Sequence, residues 1–314
     1  NLKVMKYFID TEFHEYQKKP LFGKPINTIE LISIGIVSED NYIKGKDYSH
    51  PSEYKGREYY AISKDFNLKE AWNRYDIKYA EVTRLVDYRG EEYDVLYYLK
   101  ENEEVIKWKL NHPKFKTEYI SGDPYKDYWL RNNVLKSIFN ELVEKELEYF
   151  RETYRRINTW TTEANLKHHI FNYKNFKRLI NKYGKTNKQI SEEILHFTHG
   201  VYTEDSNGIG TGLIKDNNPQ FYGYYSDYDW VVFCWLFGRM VDLPKGFPMY
   251  CIDLKQILDE INDKLINIAN NDMCRAGQLR DVKTHPNYPK QTNEHNSLAD
   301  AHFNYNLYKF LQTI

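Results

Sequence analysis

Four carboxylates and one histidine carry most of the chemistry this sequence offers. Asp10 and Glu12 close the apolar run Tyr7-Phe8-Ile9-Asp10-Thr11-Glu12-Phe13, Asp229 opens the run Asp229-Trp230-Val231-Val232-Phe233, and His295 precedes Asp300 by five positions. Alternate side chains on a strand share a face, so Asp10 and Glu12 project together and Thr11 projects to the other side. Such a pair can grip a hard cation. Carboxylates from several elements are what two divalent ions, roughly 3.5 to 4 Å apart, require when they clamp a phosphate during in-line displacement. All-oxygen ligands point to two ions of Mg²⁺ or Mn²⁺. A histidine, with an ordinary pKa of about 6.5, can take the proton of an attacking water.

Each residue alone has a plainer reading. Asp10 and Glu12 can be solvated charges at a strand end. Asp229 can be a helix cap favoured by the macrodipole, with Asp227 as a competing candidate for its role. His295 and Asp300 can be a surface pair. The combination reads as a two-metal nuclease site.

A chain of 314 residues is long enough for one large domain with insertions and a substantial core. Its 44 basic and 45 acidic residues leave a net charge of -1, so no broad basic field for duplex nucleic acid is expected. Cys234, Cys251 and Cys274 have neither zinc-site nor disulfide spacing, which fits a reducing compartment, and the first two, in apolar runs, read as inert core thiols. No run of eighteen apolar residues and no signal-peptide pattern occurs; a soluble, cytoplasmic protein with no membrane partner is expected.

Several elements must position those residues. The runs 4–9, 28–37 and 58–63 are predicted as a three-stranded antiparallel meander, and 220–225 and 249–252 as parallel additions alternating with helices. Thr186 is a predicted cap for a helix carrying Ile190 and Ile194. The run 230–240 is apolar nearly all round, which predicts a buried helix with Trp230 and Trp235 in the core. Asp253 should cap a helix with Leu254, Ile257, Leu258 and Ile261 on one face, and Asn296 or Ser297 one that runs to about Leu311.

Two stretches fit neither group. Residues 74–127 are charged and Tyr-rich, and 137–184 show two apolar stripes at helical spacing, Phe139, Val143, Leu147, Phe150 and Tyr154, then Leu166, Ile170, Tyr173, Phe176 and Ile180. Both are predicted as mostly helical insertions in a single domain spanning 1–314. The stripes must bury against the core, each other or a second copy in a homodimer, while Lys167, Lys174, Lys177, Arg178 and Lys182 would face an incoming strand. Gly208-Ile209-Gly210-Thr211-Gly212 lacks the strand and Lys-Ser/Thr of a phosphate loop and reads as a flexible loop. His168, His169, His196 and His199 read as surface residues.

The order Asp-x-Glu on the first strand, Tyr-Asp before an apolar helix, and His five residues before Asp resembles the DEDDh class of 3′→5′ exonucleases. The segments Lys6–Phe13, Thr28–Val37, Tyr59–Ser63, Tyr228–Val231, Leu243-Pro244 and His295–Ala301 are similar to the mycobacterial-type RNase AS family, adenylate-preferring exoribonucleases. A tyrosine variant of the class would carry Tyr four residues before Asp300, where Asn296 stands. The two insertions, a longer loop at Tyr16 to Asn27 and residues 262–293 depart from small family members.

The resemblance implies a ribonuclease-H-like α/β fold, a mixed five-stranded sheet flanked by helices, and hydrolysis of single-stranded RNA from its 3′ end to nucleoside monophosphates. It implies that Asp10, Glu12 and Asp300 hold the first metal, that Asp10 also touches the second and Asp229 supports it, and that His295 is the general base. Thr11, Phe13 and His14 would contact the terminal nucleotide, with Phe13 either a stacking platform or part of the core. The partner expected is single-stranded nucleic acid, RNA ahead of DNA. A DNA 3′→5′ exonuclease uses the same carboxylates, and a catalytically silent nucleic-acid-binding module shares the fold; the presence of all five residue types argues against the latter.

Overall fold

The computed structural model describes residues 3–20, 22–39, 58–78, 82–86, 92–96, 110–111, 125–154, 166–199, 202–204, 210–213, 217–271 and 281–314. Contacts divide the chain into two compact units, Asn1–Leu68 with Val134–Ile314, and Lys69–Asn133.

The larger unit is built on five strands, β1 (Lys3–Lys18), β2 (Ile26–Ser38), β3 (Glu58–Ile62), β4 (Asn217–Gly223) and β5 (Ile252–Asp253). They lie in the order β5-β4-β1-β2-β3. β1, β2 and β3 form the expected antiparallel meander, and β4 and β5 add in parallel on the other side of β1. The sheet is therefore mixed, in an α/β architecture.

Strand alternation sends β1 side chains to two cores. Tyr7 and Ile9 enter a cluster with Ile34, Ile36, Phe197, Phe221, Trp230 and Phe233, while Phe8 enters another with Tyr222, Leu254, Leu258, Leu307 and Tyr308. Apolar faces on both sides demand helices on both sides. Helices α3 (Asn187–His199) and α4 (Asp227–Phe237) cover the first face; α5 (Leu254–Asn271) and α6 (Ser297–Leu311) cover the second.

The caps follow local chemistry. The Gln189 amide N–H donates to the Thr186 hydroxyl while Gln189 Oε1 accepts from the Thr186 amide, a reciprocal capping box. Asp253 accepts the Lys255 amide N–H, and Asn296, rather than Ser297, accepts that of Ala299. α4 departs from expectation: Trp230 is buried, but Val231 is 42% and Trp235 52% exposed, because only one side of α4 meets the sheet.

The described residues of 74–127 form strands rather than the expected helix, and the rest of that stretch lies outside the described residues. Asp76–Lys78 pairs with Tyr125–Asp127, and Val82–Val86, Glu92–Leu96 and Leu110–Asn111 form an antiparallel sheet. Runs such as Val82-Thr83-Arg84-Leu85-Val86 favour extended backbone over helix. The stretch 137–184 does supply two helices, α1 (Lys136–Tyr154) and α2 (Tyr173–Tyr183). The second begins later than its stripe, because Asn172 caps it by accepting the Asn175 amide N–H; Leu166–His169 is a 3₁₀ turn and Ile170 is exposed. Between the helices Glu146, 3% exposed, receives Arg178 through both carboxylate oxygens at 2.7 Å, Lys182 at 3.0 Å and His169 at 3.2 Å. Arg178, Lys182 and His169 are therefore engaged with Glu146 rather than free, although Lys182 stays exposed.

Cys234 and Cys251 are free thiols, and burial pushes them up to about 11 and about 12. Cys274 and Gly208-Ile209 lie outside the described residues; Gly210–Leu213 is a strand. No described helix is long and apolar enough to cross a membrane.

Candidate metal centre

Asp10 and Glu12 lie near the middle of β1, not at its end. β1 runs on for six residues past Glu12, and its pairing with β2 slips by one where Glu12 faces Ser33 but Phe13 faces Leu31, leaving Ile32 as the extra residue. Such bulges re-aim neighbouring side chains. Apolar runs do not encode this irregularity, so sequence reasoning ends the strand at the acidic pair.

The third carboxylate arrives through a close helix–strand approach. Asp10 pairs with Gly35 across the β1–β2 ladder. A Cβ on Gly35 would lie 2.2 Å from the Ser297 carbonyl oxygen and 2.4 Å from Leu298 Cα, so only glycine lets the start of α6 rest on β2. Ser297 Oγ donates to Ser33 Oγ at 3.1 Å, and Asn304 Nδ2, one turn beyond Asp300, donates to the Ile9 carbonyl at 2.9 Å. Thus anchored, α6 brings Asp300 to β1: ligand atoms of Asp10, Glu12 and Asp300 lie within 4.8 Å of one another.

Asp229 comes from the opposite face. It sits in the first turn of α4 behind the N-cap Ser226, and its Oδ1 accepts both the Thr11 amide N–H at 2.9 Å and the Thr11 hydroxyl at 2.6 Å. Asp227 is exposed, so Asp229 is the inward member of that pair.

The electrostatics match a cation site. Burial, then repulsion from Asp229, Asp300 and Glu12, holds the Asp10 carboxyl well above the usual range. Burial, then Asp300 and Asp229, pushes Glu12 up to about 8. Burial likewise raises Asp229 to about 6 against the Thr11 hydrogen bonds, and raises Asp300 against those from Gln291 and the His295 backbone. Crowded carboxylates with hard oxygen donors are the donor set Mg²⁺ or Mn²⁺ takes.

His295 adopts a left-handed backbone, φ 66°, and its amide N–H donates to Asp300 Oδ2 at 3.0 Å. Its imidazole is close enough to oppose the rise in the Asp300 pKa. The neighbouring Asn296 Nδ2 donates to Glu141 Oε2 at 3.2 Å, and the same oxygen accepts the Tyr60 hydroxyl at 2.9 Å. Gln291 Nε2 donates to Asp300 Oδ1 at 2.6 Å.

Sequence reading missed Glu141, Tyr60, Gln291 and Asn304. Asn304 alone left a signal, as a polar residue on the buried face of an apolar helix.

The three residues assigned to nucleotide contact part ways. Thr11 is buried and serves Asp229. His14 is fully buried with its ring stacked on Tyr16, so it offers no surface to a nucleotide. Phe13 is half-buried and stacks on the exposed Tyr228, ring centroids 5.9 Å apart at 21°. No protein-family model and no curated protein sequence matches the chain.

Proposed function

We propose that this protein is a divalent-metal-dependent 3′→5′ exoribonuclease of the cytoplasm, related to the DEDDh exonucleases and most similar among them to the RNase AS type. The observation that carries the reading is the convergence of Asp10, Glu12 and Asp300 within 4.8 Å, with Asp229 bound to the residue between the first two. A ribonuclease-H-like fold is supported by the strand order β5-β4-β1-β2-β3 with β2 alone reversed.

Asp10, Glu12 and Asp300 would hold one Mg²⁺ or Mn²⁺, and Asp10 with Asp229 a second. When bound, such ions offset the charge developing on a phosphate and make water more acidic. Thr11 fixes the Asp229 carboxylate through two donors. The braced start of α6 holds His295 beside Asp300, where its imidazole takes the proton of the water that attacks phosphorus. The bond from that phosphorus to O3′ of the preceding nucleotide breaks, O3′ takes up a proton from solvent, and the terminal nucleotide leaves as a nucleoside 5′-monophosphate. The same groups suit a DNA end, so RNA preference rests on the resemblance.

The test uses single-stranded RNA and DNA oligomers labelled at the 5′ end, with Mg²⁺ or Mn²⁺. A ladder shortening from the 3′ end, faster on RNA and absent for Asp10→Asn, is expected. Cleavage that survives excess chelator or this substitution overturns the reading.

A further inference from the structure

Beyond the bulge, β1 and β2 leave the sheet. β4 pairs only with residues 3–8 of β1, and β3 only with residues 33–37 of β2, so among the described residues Phe13–Lys18 and Ile26–Leu31 pair with each other alone. Six residues at about 3.4 Å each make a two-stranded ribbon ~20 Å long, starting at Glu12. Of the stretch expected as a longer loop, Tyr16 to Asn27, the ribbon takes Tyr16–Lys18 and Ile26-Asn27, and the loop itself is confined to residues 19–25.

The chemistry of the tip differs from that of the molecule. Between Glu15 and Glu30 the sequence has three lysines, Lys18, Lys19 and Lys24, and no carboxylate, in a chain whose net charge is -1. All three are exposed, and Phe22 at the turn is 89% exposed. Pro20 and Pro25 restrict the backbone beside the turn, Gly23 supplies its positive φ of 108°, and Gln17 Nε2 donates to Asn27 Oδ1 across the ribbon at 3.2 Å. Near the base, acidic Glu30 is already occupied by the Tyr16 hydroxyl and the Asn67 amide.

We propose that this ribbon is a nucleic-acid-binding arm: Lys18, Lys19 and Lys24 contact the phosphates of a single strand, Phe22 stacks on one of its bases, and the strand's 3′ end reaches toward Glu12. Cations that follow a backbone plus an exposed aromatic ring are the recurring elements of single-strand binding. Only the delivery of the end to Glu12 rests on the nuclease reading.

Binding of a fluorescent single-stranded 20-mer to the full chain is followed by anisotropy in chelator, so that cleavage plays no part, across a salt series. At ~0.7 per single-strand phosphate contact, the triple variant Lys18→Gln, Lys19→Gln, Lys24→Gln should lower the log–log salt slope by about 2. Phe22→Ala should weaken binding at least ~5-fold with the slope unchanged. Dinucleotide hydrolysis by both variants should match that of the parent chain. Unchanged binding and slope in the triple variant, or displacement of the 20-mer by polyglutamate as readily as by unlabelled RNA, overturns the arm; the latter would assign the tip to an acidic protein surface. Salt-dependent binding without hydrolysis by the parent chain would sustain the arm and sink the nuclease reading alone.

Discussion

A methyl group on Gly35 would stand 2.2 Å from the Ser297 carbonyl oxygen. Gly35 also faces Asp10 in the β1–β2 ladder, so the contact that seats α6 lies one strand from the candidate metal centre. Gly35→Ala should therefore destabilise the fold by overpacking, about 1 to 3 kcal/mol or more, and remove activity as Asp300 moves away. Chemical denaturation together with hydrolysis checks it; a variant of parental stability and rate would contradict this account of the packing.

Metal-free protein should lose stability as pH rises. Glu12 titrates near 4.5 when unfolded and near 8 when folded, so between these values the folded chain binds more protons and stability falls as pH climbs. Asp10, Asp229 and Asp300 are raised in the same sense. The thermal midpoint in chelator should drop from pH 5 to pH 8, and Mg²⁺ should restore it at pH 8. Asp10→Asn should flatten the profile. A midpoint insensitive to pH in chelator would contradict the buried repulsion.

His295→Ala should lower turnover by roughly 10²- to 10⁴-fold, the usual worth of general acid–base catalysis, with little change in metal affinity. Calorimetric titration with Mn²⁺ beside the rate separates the two. Weakened affinity with a normal rate at saturating metal would make His295 a ligand instead.

Glu141 ties the His295–Asn296 segment to Tyr60. Glu141→Ala should reduce kcat about 10- to 100-fold through misplacement of His295, leave KM for a dinucleotide near its parental value, and be partly rescued by Glu141→Gln. An effect on melting temperature alone would leave Glu141 a structural residue.

Glu146 is held down to about 2, chiefly by its hydrogen bonds from Arg178 and then Lys182. Its folded pKa lies below the unfolded one, so its contribution is present above about 4.5 and fades as pH falls toward 2. Glu146→Ala should cost about 1 to 3 kcal/mol at neutral pH by removing the charged acceptor shared by Arg178 and Lys182, whose own side chains stay 36% and 41% exposed, measured by urea unfolding. A cost below 1 kcal/mol would show the network to be solvent-screened.

The sequence by itself determined what is local. Alternation marked the strands, caps such as Thr186, Asp253 and Asn296 marked the helix starts, and residue type singled out Asp10, Glu12, Asp229, His295 and Asp300, because short-range periodicity and carboxylate chemistry are written along the chain. Only tertiary structure decided what depends on residues far apart in sequence. The bulge opposite Glu12 exists through pairing with β2, Glu141 reaches Asn296 across 155 positions, and His14 is closed off although its neighbour Phe13 is not. Trp235 and the described segments of 74–127 departed from expectation for the same reason: whether an apolar helix face finds a partner, or a charged tyrosine-rich segment pairs as a strand, is settled by what packs beside it.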